Sequence, residues 1–180
     1  MAQPTPKWVW VVGGAGALWL LVRWLVGAPR GVVGALVAYA AKIPPGGRFG
    51  VRRNDGVIHK GIDVFAPEGT PVVAAADGVV DYSGRISGYG ETIAIRHAGG
   101  ERTLYAHLSR RYPRVGVAVA QGETIGLVGR TADGDCGRYF CDSPAHLHFE
   151  VITDAGPINR SRDRVEPVAW LADQGLAPYA

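Results

Sequence analysis

Apolar and polar positions divide the chain at Pro44-Pro45-Gly46-Gly47, a run that no helix can cross. Ahead of it, Trp8 to Ala28 is apolar apart from Arg23. That is long enough to span a hydrocarbon core as one helix, which takes about 20 residues. Trp8, Trp10 and Trp24 fall near its ends, where amphipathic rings favour the interface, and Arg23 near one end can snorkel to the headgroups. The pattern predicts a hydrophobic helix serving as a membrane anchor. Two other readings stay open. Ala38-Tyr39-Ala40 looks like a small-residue cleavage site, which would make residues 1–40 an export signal. Alternatively, residues 8–41 form apolar helices buried in an assembly. Lys7 and the terminal amine precede the span while Arg23, Arg30 and Lys42 lie at or after its end, so charge counting would keep the following domain in the cytosol. Gly31 to Ala41 is a second apolar run, too short to span by itself.

Past the boundary the texture changes to short β-branched and aromatic runs separated by Gly, Pro and Asp turns. Strands are expected near Ile58 to Val64, Pro71 to Ala75, Gly78 to Ser83, Thr92 to His97, Arg102 to Leu108, Glu123 to Val128 and His146 to Thr153. Helical periodicity appears only at Val168 to Gly175, after Pro167. The fold expectation is mainly β, an antiparallel sheet or sandwich-like domain behind an N-terminal hydrophobic helix. Its divisions are residues 1–41 (anchor or uncleaved signal), 42–55 (linker and lead-in), 56–172 (the domain) and 173–180 (tail).

Within His146-Leu147-His148-Phe149-Glu150-Val151, strand alternation puts His146, His148 and Glu150 on one face and Leu147, Phe149 and Val151 on the other. The second face reads as core, whereas two adjacent imidazoles are rarely placed for packing alone. His59 and Asp63, four apart with Gly61 between them, also share a direction on an extended strand. On its own this pair reads first as a His packed at a turn and an Asp paired with Lys60. Joined by one imidazole of the His146–His148 pair, it gives two nitrogens and one carboxylate oxygen, the ligand set of a catalytic zinc with one position open. His97 reads as a turn residue, and Glu150 as an orienting group or a surface pair. The formal charge of +3 comes from 19 Lys and Arg that are scattered, and no nucleic-acid motif occurs.

Ordered motifs give this chain a family resemblance. They are His59-Lys60-Gly61-Ile62-Asp63, Pro67-Glu68-Gly69-Thr70-Pro71-Val72, Ala76-Asp77-Gly78-Val79-Val80, Gly88-Tyr89-Gly90, Thr103-Leu104-Tyr105-Ala106-His107-Leu108, Gly122-Glu123-Thr124-Ile125-Gly126 and His146-Leu147-His148-Phe149-Glu150. The series resembles the zinc endopeptidases of peptidoglycan of the lysostaphin and LytM type, over roughly 110 residues. The resemblance implies one zinc per chain held by His59, Asp63 and His148, with His107 and His146 as unligated catalytic histidines. It implies zinc-activated water attacking a peptide bond, one histidine moving the proton and the other supporting the oxyanion. Which histidine does which is left open.

The departure from that family lies in Gly129 to His146, a longer loop carrying Cys136 and Cys141. With four residues between them they are expected to close a small disulfide loop, suited to an oxidising exterior compartment. A second metal site is the weaker alternative. Arg110-Arg111-Tyr112-Pro113-Arg114 reads as a basic, turn-forming insertion. The implied partners are peptidoglycan peptide and, through the N-terminal helix, a membrane. The implied placement is the bacterial envelope with the domain facing the wall, which overrules the charge count. The other function classes in view are a non-catalytic wall-binding or amidase-regulating module, and a lytic part of a virion or secretion machine.

Overall fold

Short β-branched runs closed off by glycine and proline turns favour short antiparallel strands over helices, and the domain is built from them. The computed structural model describes residues 43–53, 56–131, 144–158 and 163–176. The strands are β1 (Ile62–Phe65), β2 (Pro71–Val73), β3 (Gly78–Ile86), β4 (Gly90–Arg96) and β5 (Arg102–Arg111), then β6 (Ala118–Val119), β7 (Thr124–Val128), β8 (His146–Ile152) and β9 (Arg164–Val165). One helix, α1 (Pro167–Asp173), follows. All seven expected strands are present with shifted ends, and the mainly antiparallel β expectation is met. β6 and β9, two residues each, are too short to show alternation in the sequence. The apolar run 8–28, residues 31–41 and both cysteines lie outside the described residues. Among the described residues no helix is long and apolar enough to cross a membrane.

Every pairing is antiparallel, in the order β1-β8-β5-β4-β3-β6, with β9 on β8 and β7 joining β2 to β5. β5 is the hinge of this arrangement. Its first half pairs with β8 from Arg102 to Ala106, and its second half with β7 from Leu108 to Arg111. The sheet thereby folds over a core that includes Ile62, Val72, Ile93, Tyr105, Leu108 and Phe149. A smaller cluster of Ile86, Ala94, Leu104, Ala106, Ile152 and Ile158 lies on the opposite face. Every residue of β8 is buried, so this strand is covered on both sides.

Arg110 and Arg111, expected in an insertion, are instead the last residues of β5. Arg111 donates from Nε to Glu91 Oε2 at 2.5 Å and from a terminal nitrogen to Ser83 Oγ at 2.9 Å. Those strand neighbours hold Arg111 in extended backbone, and the Arg110 guanidinium lies over the Tyr112 ring, 5.5 Å from its centroid. In α1, Pro167 occupies the first turn and the Glu166 carboxylate accepts from the amides of Val168 (3.1 Å) and Ala169 (2.8 Å). An acidic cap at that end satisfies amides that lack an intrahelical partner and suits the helix dipole. The helix turns Leu171 into the main core, and Leu176 beyond it is buried there too. His97 follows β4 as expected but is buried. Its Nδ1 lies 2.9 Å from Asp77 O and its Nε2 2.8 Å from Thr103 Oγ1, so it fastens the β4 end to β5.

Candidate metal centre and its flanking histidines

The β1–β8 register places Asp63 directly opposite His148 and Phe65 opposite His146, while Ile62 and Val64 face the core with Phe149 and Leu147. Alternation alone therefore brings Asp63, His146 and His148 to one surface, as the sequence predicted. His59 reaches it by a different route. β1 begins only at Ile62, and His59 belongs to a segment bonded to residues 50–51, with its amide on Val51 O (2.8 Å) and its carbonyl accepting from Gly50 N (2.9 Å). Gly61 allows this chain to lie against β8: a Cβ there would sit 2.3 Å from Phe149 O.

His107 reaches the site by breaking the alternation. By parity it belongs with Tyr105 on the core face. The β4–β5 register slips between Glu91↔Leu108 and Ile93↔Tyr105, so Ala106 and His107 of β5 oppose the single residue Thr92 of β4. His107 sits in that bulge at φ 60°, the left-handed region. The extra residue returns Leu108 to the core and turns the imidazole toward its partners, with ring centroids 4.8 Å from His146 and 5.8 Å from His148. Strain of this kind persists only where surrounding structure enforces it, and it concentrates at functional sites.

Three donor atoms converge. His59 Nε2 lies 3.1 Å from His148 Nδ1 and 3.2 Å from Asp63 Oδ1, and His148 Nδ1 lies 2.8 Å from Asp63 Oδ1. Nitrogen and oxygen ligands at about 2.0–2.1 Å in a tetrahedron stand about 3.3 Å apart. The triangle thus needs to open by only a few tenths of an ångström to hold a zinc ion. The donors are two imidazoles and one carboxylate, the zinc-type set. His146 Nε2 lies 3.9 Å from Asp63 Oδ1, is buried, and has no hydrogen-bond partner among the described residues. A buried polar atom left in that state beside the triangle is what a site for a further group looks like.

The far nitrogen of each of the four rings is held by an acceptor, and this assigns the tautomers. His59 Nδ1 donates to Arg48 O (2.9 Å), His107 Nδ1 to Thr131 O (2.8 Å) and His146 Nδ1 to Pro144 O (2.8 Å). A carbonyl can only accept, so in the neutral rings Nε2 carries the lone pair. His148 is reversed: Nε2 donates to Glu150 Oε1 at 3.0 Å, directing Nδ1 at Asp63. Burial of the His107 ring, followed by the neighbouring His148 and His146, pushes its pKa down to about 3, and burial lowers that of His146 too. Both are therefore neutral near pH 7. Burial also works against the charged form of His148, but its bonds to Asp63 and Glu150 outweigh that and raise it to about 9. Burial would raise Asp63; hydrogen bonds from His148 and His59 hold it well below the usual carboxylate range. A cation held between His148 Nδ1 and Asp63 would take the place of the proton that these two atoms share.

Glu150, for which a surface pair was one expectation, is instead fully buried and accepts from His148, Tyr89 OH (2.8 Å) and Arg164 Nε (2.8 Å). Those bonds hold its pKa down at about 2, against the opposing effect of burial. Two participants had no assigned part in the sequence reading. Arg53 donates to Asp63 Oδ2 at 2.6 Å, and Tyr89 supports Glu150. Gly88-Tyr89-Gly90 carried a signal in the sequence, whereas nothing there pointed to Arg53. Arg53, Lys60, Tyr89 and His107 line a groove of about 250 Å³ that opens onto the triangle.

An antiparallel sheet that presents a His-Asp-His triangle beside two further imidazoles defines the class: a β protein with the donor set of a single-metal hydrolase. The chain belongs to Peptidase family M23, whose profile matches residues 57–160. It is 47% identical over 102 residues to the DD-carboxypeptidase/endopeptidase Mpg of Neisseria meningitidis, covering 57% of this chain and 22% of that protein. It is 42% identical over 96 residues to the peptidoglycan DD-endopeptidase ShyC of Vibrio cholerae, covering 53% of this chain and 20% of that one. The structure is similar to the antimicrobial peptidase lysostaphin from Staphylococcus simulans, with a TM-score of 0.62 and 28% identity over 76% of this chain and 51% of the other. The chain thus spans about a fifth of the length of these curated relatives.

Proposed function

We propose that this chain is a zinc-dependent endopeptidase that hydrolyses amide bonds in peptidoglycan stem peptides or cross-bridges. The observation that carries the reading is the His59–Asp63–His148 triangle with the rings of His107 and His146 beside it. Relatives named as peptidoglycan and DD-type endopeptidases support the substrate class. In this reading one zinc ion per chain is held by His59 Nε2, Asp63 Oδ1 and His148 Nδ1. When bound, zinc polarises the scissile carbonyl and lowers the pKa of a water to about 7.

The protein's own groups do the rest. His107 and His146, neutral with Nδ1–H on a carbonyl, each offer an Nε2 lone pair as a proton acceptor. Whichever accepts the water's proton becomes an imidazolium able to return it to the departing amine. The other supports the oxyanion only when it too carries a proton on Nε2, because its Nδ1–H is committed to the backbone. The groove beside the triangle receives the peptide. The domain acts where the wall is, outside the cytoplasmic membrane, and the apolar run 8–28 supports a tether there. The test is release of new amino groups from purified peptidoglycan by the full chain. Release abolished by a chelator and restored by added zinc is expected; no release with zinc bound would leave a binding module.

A further inference from the structure

Tyr89 lies in the turn between β3 and β4 and touches both halves of the site. Its hydroxyl donates to Glu150 Oε1 at 2.8 Å, the same oxygen that receives His148 Nε2–H at 3.0 Å, while Arg164 Nε binds Oε2 at 2.8 Å. Its carbonyl accepts the amide of His107 at 2.8 Å, inside the bulge that aims that ring. Gly90 makes this possible. It adopts φ +66°, and a Cβ there would lie 2.2 Å from Thr131 O, the carbonyl that binds His107 Nδ1. One residue thus adjoins the carboxylate behind a candidate metal ligand and the backbone of a candidate proton carrier.

We propose that Tyr89 is a positioning residue that couples the two halves. Through Glu150 its hydroxyl fixes the His148 ring so that Nδ1 is presented to the metal, and through its carbonyl it holds His107 at the bulge. The inference rests on the zinc-peptidase reading above for what the site does. Tyr89 also lines the groove, yet its hydroxyl is committed inward to Glu150. Removing the oxygen therefore leaves the groove wall intact. Carboxylates that orient a metal-bound histidine are worth about 10–100-fold in metal affinity or activity, and a group one bond further out should matter less.

The test uses the full chain as wild type, Tyr89→Phe, Glu150→Gln, the double variant, and Tyr82→Phe as a control whose hydroxyl bonds the exposed Arg85 carbonyl rather than the site. Zinc affinity is read by competition with a chromophoric chelator, kcat and KM on peptidoglycan peptides, and the hydrogen bonding of the two His148 ring nitrogens by nitrogen-15 spectra of the metal-free protein. Tyr89→Phe should weaken zinc about three- to tenfold and lower kcat with KM retained; Glu150→Gln should weaken zinc about 10–100-fold. The double variant should be no worse than Glu150→Gln, because the phenol acts through the carboxylate. Wild-type zinc affinity in Tyr89→Phe, or losses that multiply in the double variant, would overturn the proposal. Should no variant bind zinc, the functional reading fails. The metal-free spectra still decide this one, since an unchanged His148 signature in Tyr89→Phe overturns it. Should Tyr89→Phe not fold, wild-type affinity in Glu150→Gln does the same.

Discussion

Gly61→Ala isolates the close approach on which the candidate metal site depends. The added Cβ would lie 2.3 Å from Phe149 O, 2.9 Å from Glu150 Cγ and 3.0 Å from His148 Cε1. Ordinary C···O contact begins at about 3.3 Å, so the segment must part from β8 by about 1 Å. β8 is buried on both faces and cannot yield, so the displacement falls on the chain leading back to His59. The His59 edges of the triangle, now 3.1 and 3.2 Å, would open to about 4 Å, beyond the about 3.3 Å that a tetrahedral shell accepts. Overpacking of this kind costs about 1–3 kcal/mol, and a 1 Å misplacement costs on the order of 10²-fold in kcat/KM. Chelator competition for zinc affinity, run beside thermal melting and peptide hydrolysis, measures both effects. A Gly61→Ala chain with wild-type zinc affinity, stability and turnover would refute the packing argument.

His148→Ala should lose zinc and hydrolysis together, whereas His107→Ala should keep zinc and lose hydrolysis; metal analysis beside activity decides, and equal metal loss in both would reject the division of roles. Burial pushes the Tyr105 hydroxyl up to about 12 from about 10 in the unfolded chain. Its contribution is complete below about pH 10 and lost as pH rises to about 12, a difference of about 3 kcal/mol. Urea melts across that range should show the loss in wild type and a smaller one in Tyr105→Phe. The same variant removes the acceptor of the Ala75 amide, now at 2.8 Å, which should cost about 1–3 kcal/mol at neutral pH. Phe149, fully buried and edge-on to Tyr105 at 5.3 Å, should cost about 3–5 kcal/mol as Phe149→Ala in denaturant unfolding.

Alternation made much of this site legible. A period of two places Asp63, His146, His148 and Glu150 on one face, and the β1–β8 register holds them there. It could not place His107, whose parity points to the core; a bulge with a left-handed residue turns it, and only the resemblance to a known family implied its part. His59 was assigned to the right surface on the assumption of a strand, yet it arrives on a segment ahead of β1. The carbonyls of Arg48, Thr131 and Pro144 that set three tautomers have no residue signature, because any amino acid supplies a backbone oxygen. Arg110 and Arg111 read as a loop because arginines at a strand end look like a basic turn until Glu91 and Ser83 appear beside Arg111. Glu150 was placed on the imidazole face, but its burial depends on Arg164, fourteen residues later in the chain.

In the proposed site His59, Asp63 and His148 hold zinc while His107 and His146 do not. X-ray absorption at the zinc edge of the loaded full chain tests it directly. One zinc is expected, with only nitrogen and oxygen neighbours at about 2.0–2.1 Å, two of them imidazoles by their outer-shell scattering. Sulfur at about 2.3 Å would place the metal on Cys136 and Cys141, and a third or fourth imidazole would place His107 or His146 among the ligands. Either result would overturn that ligand assignment.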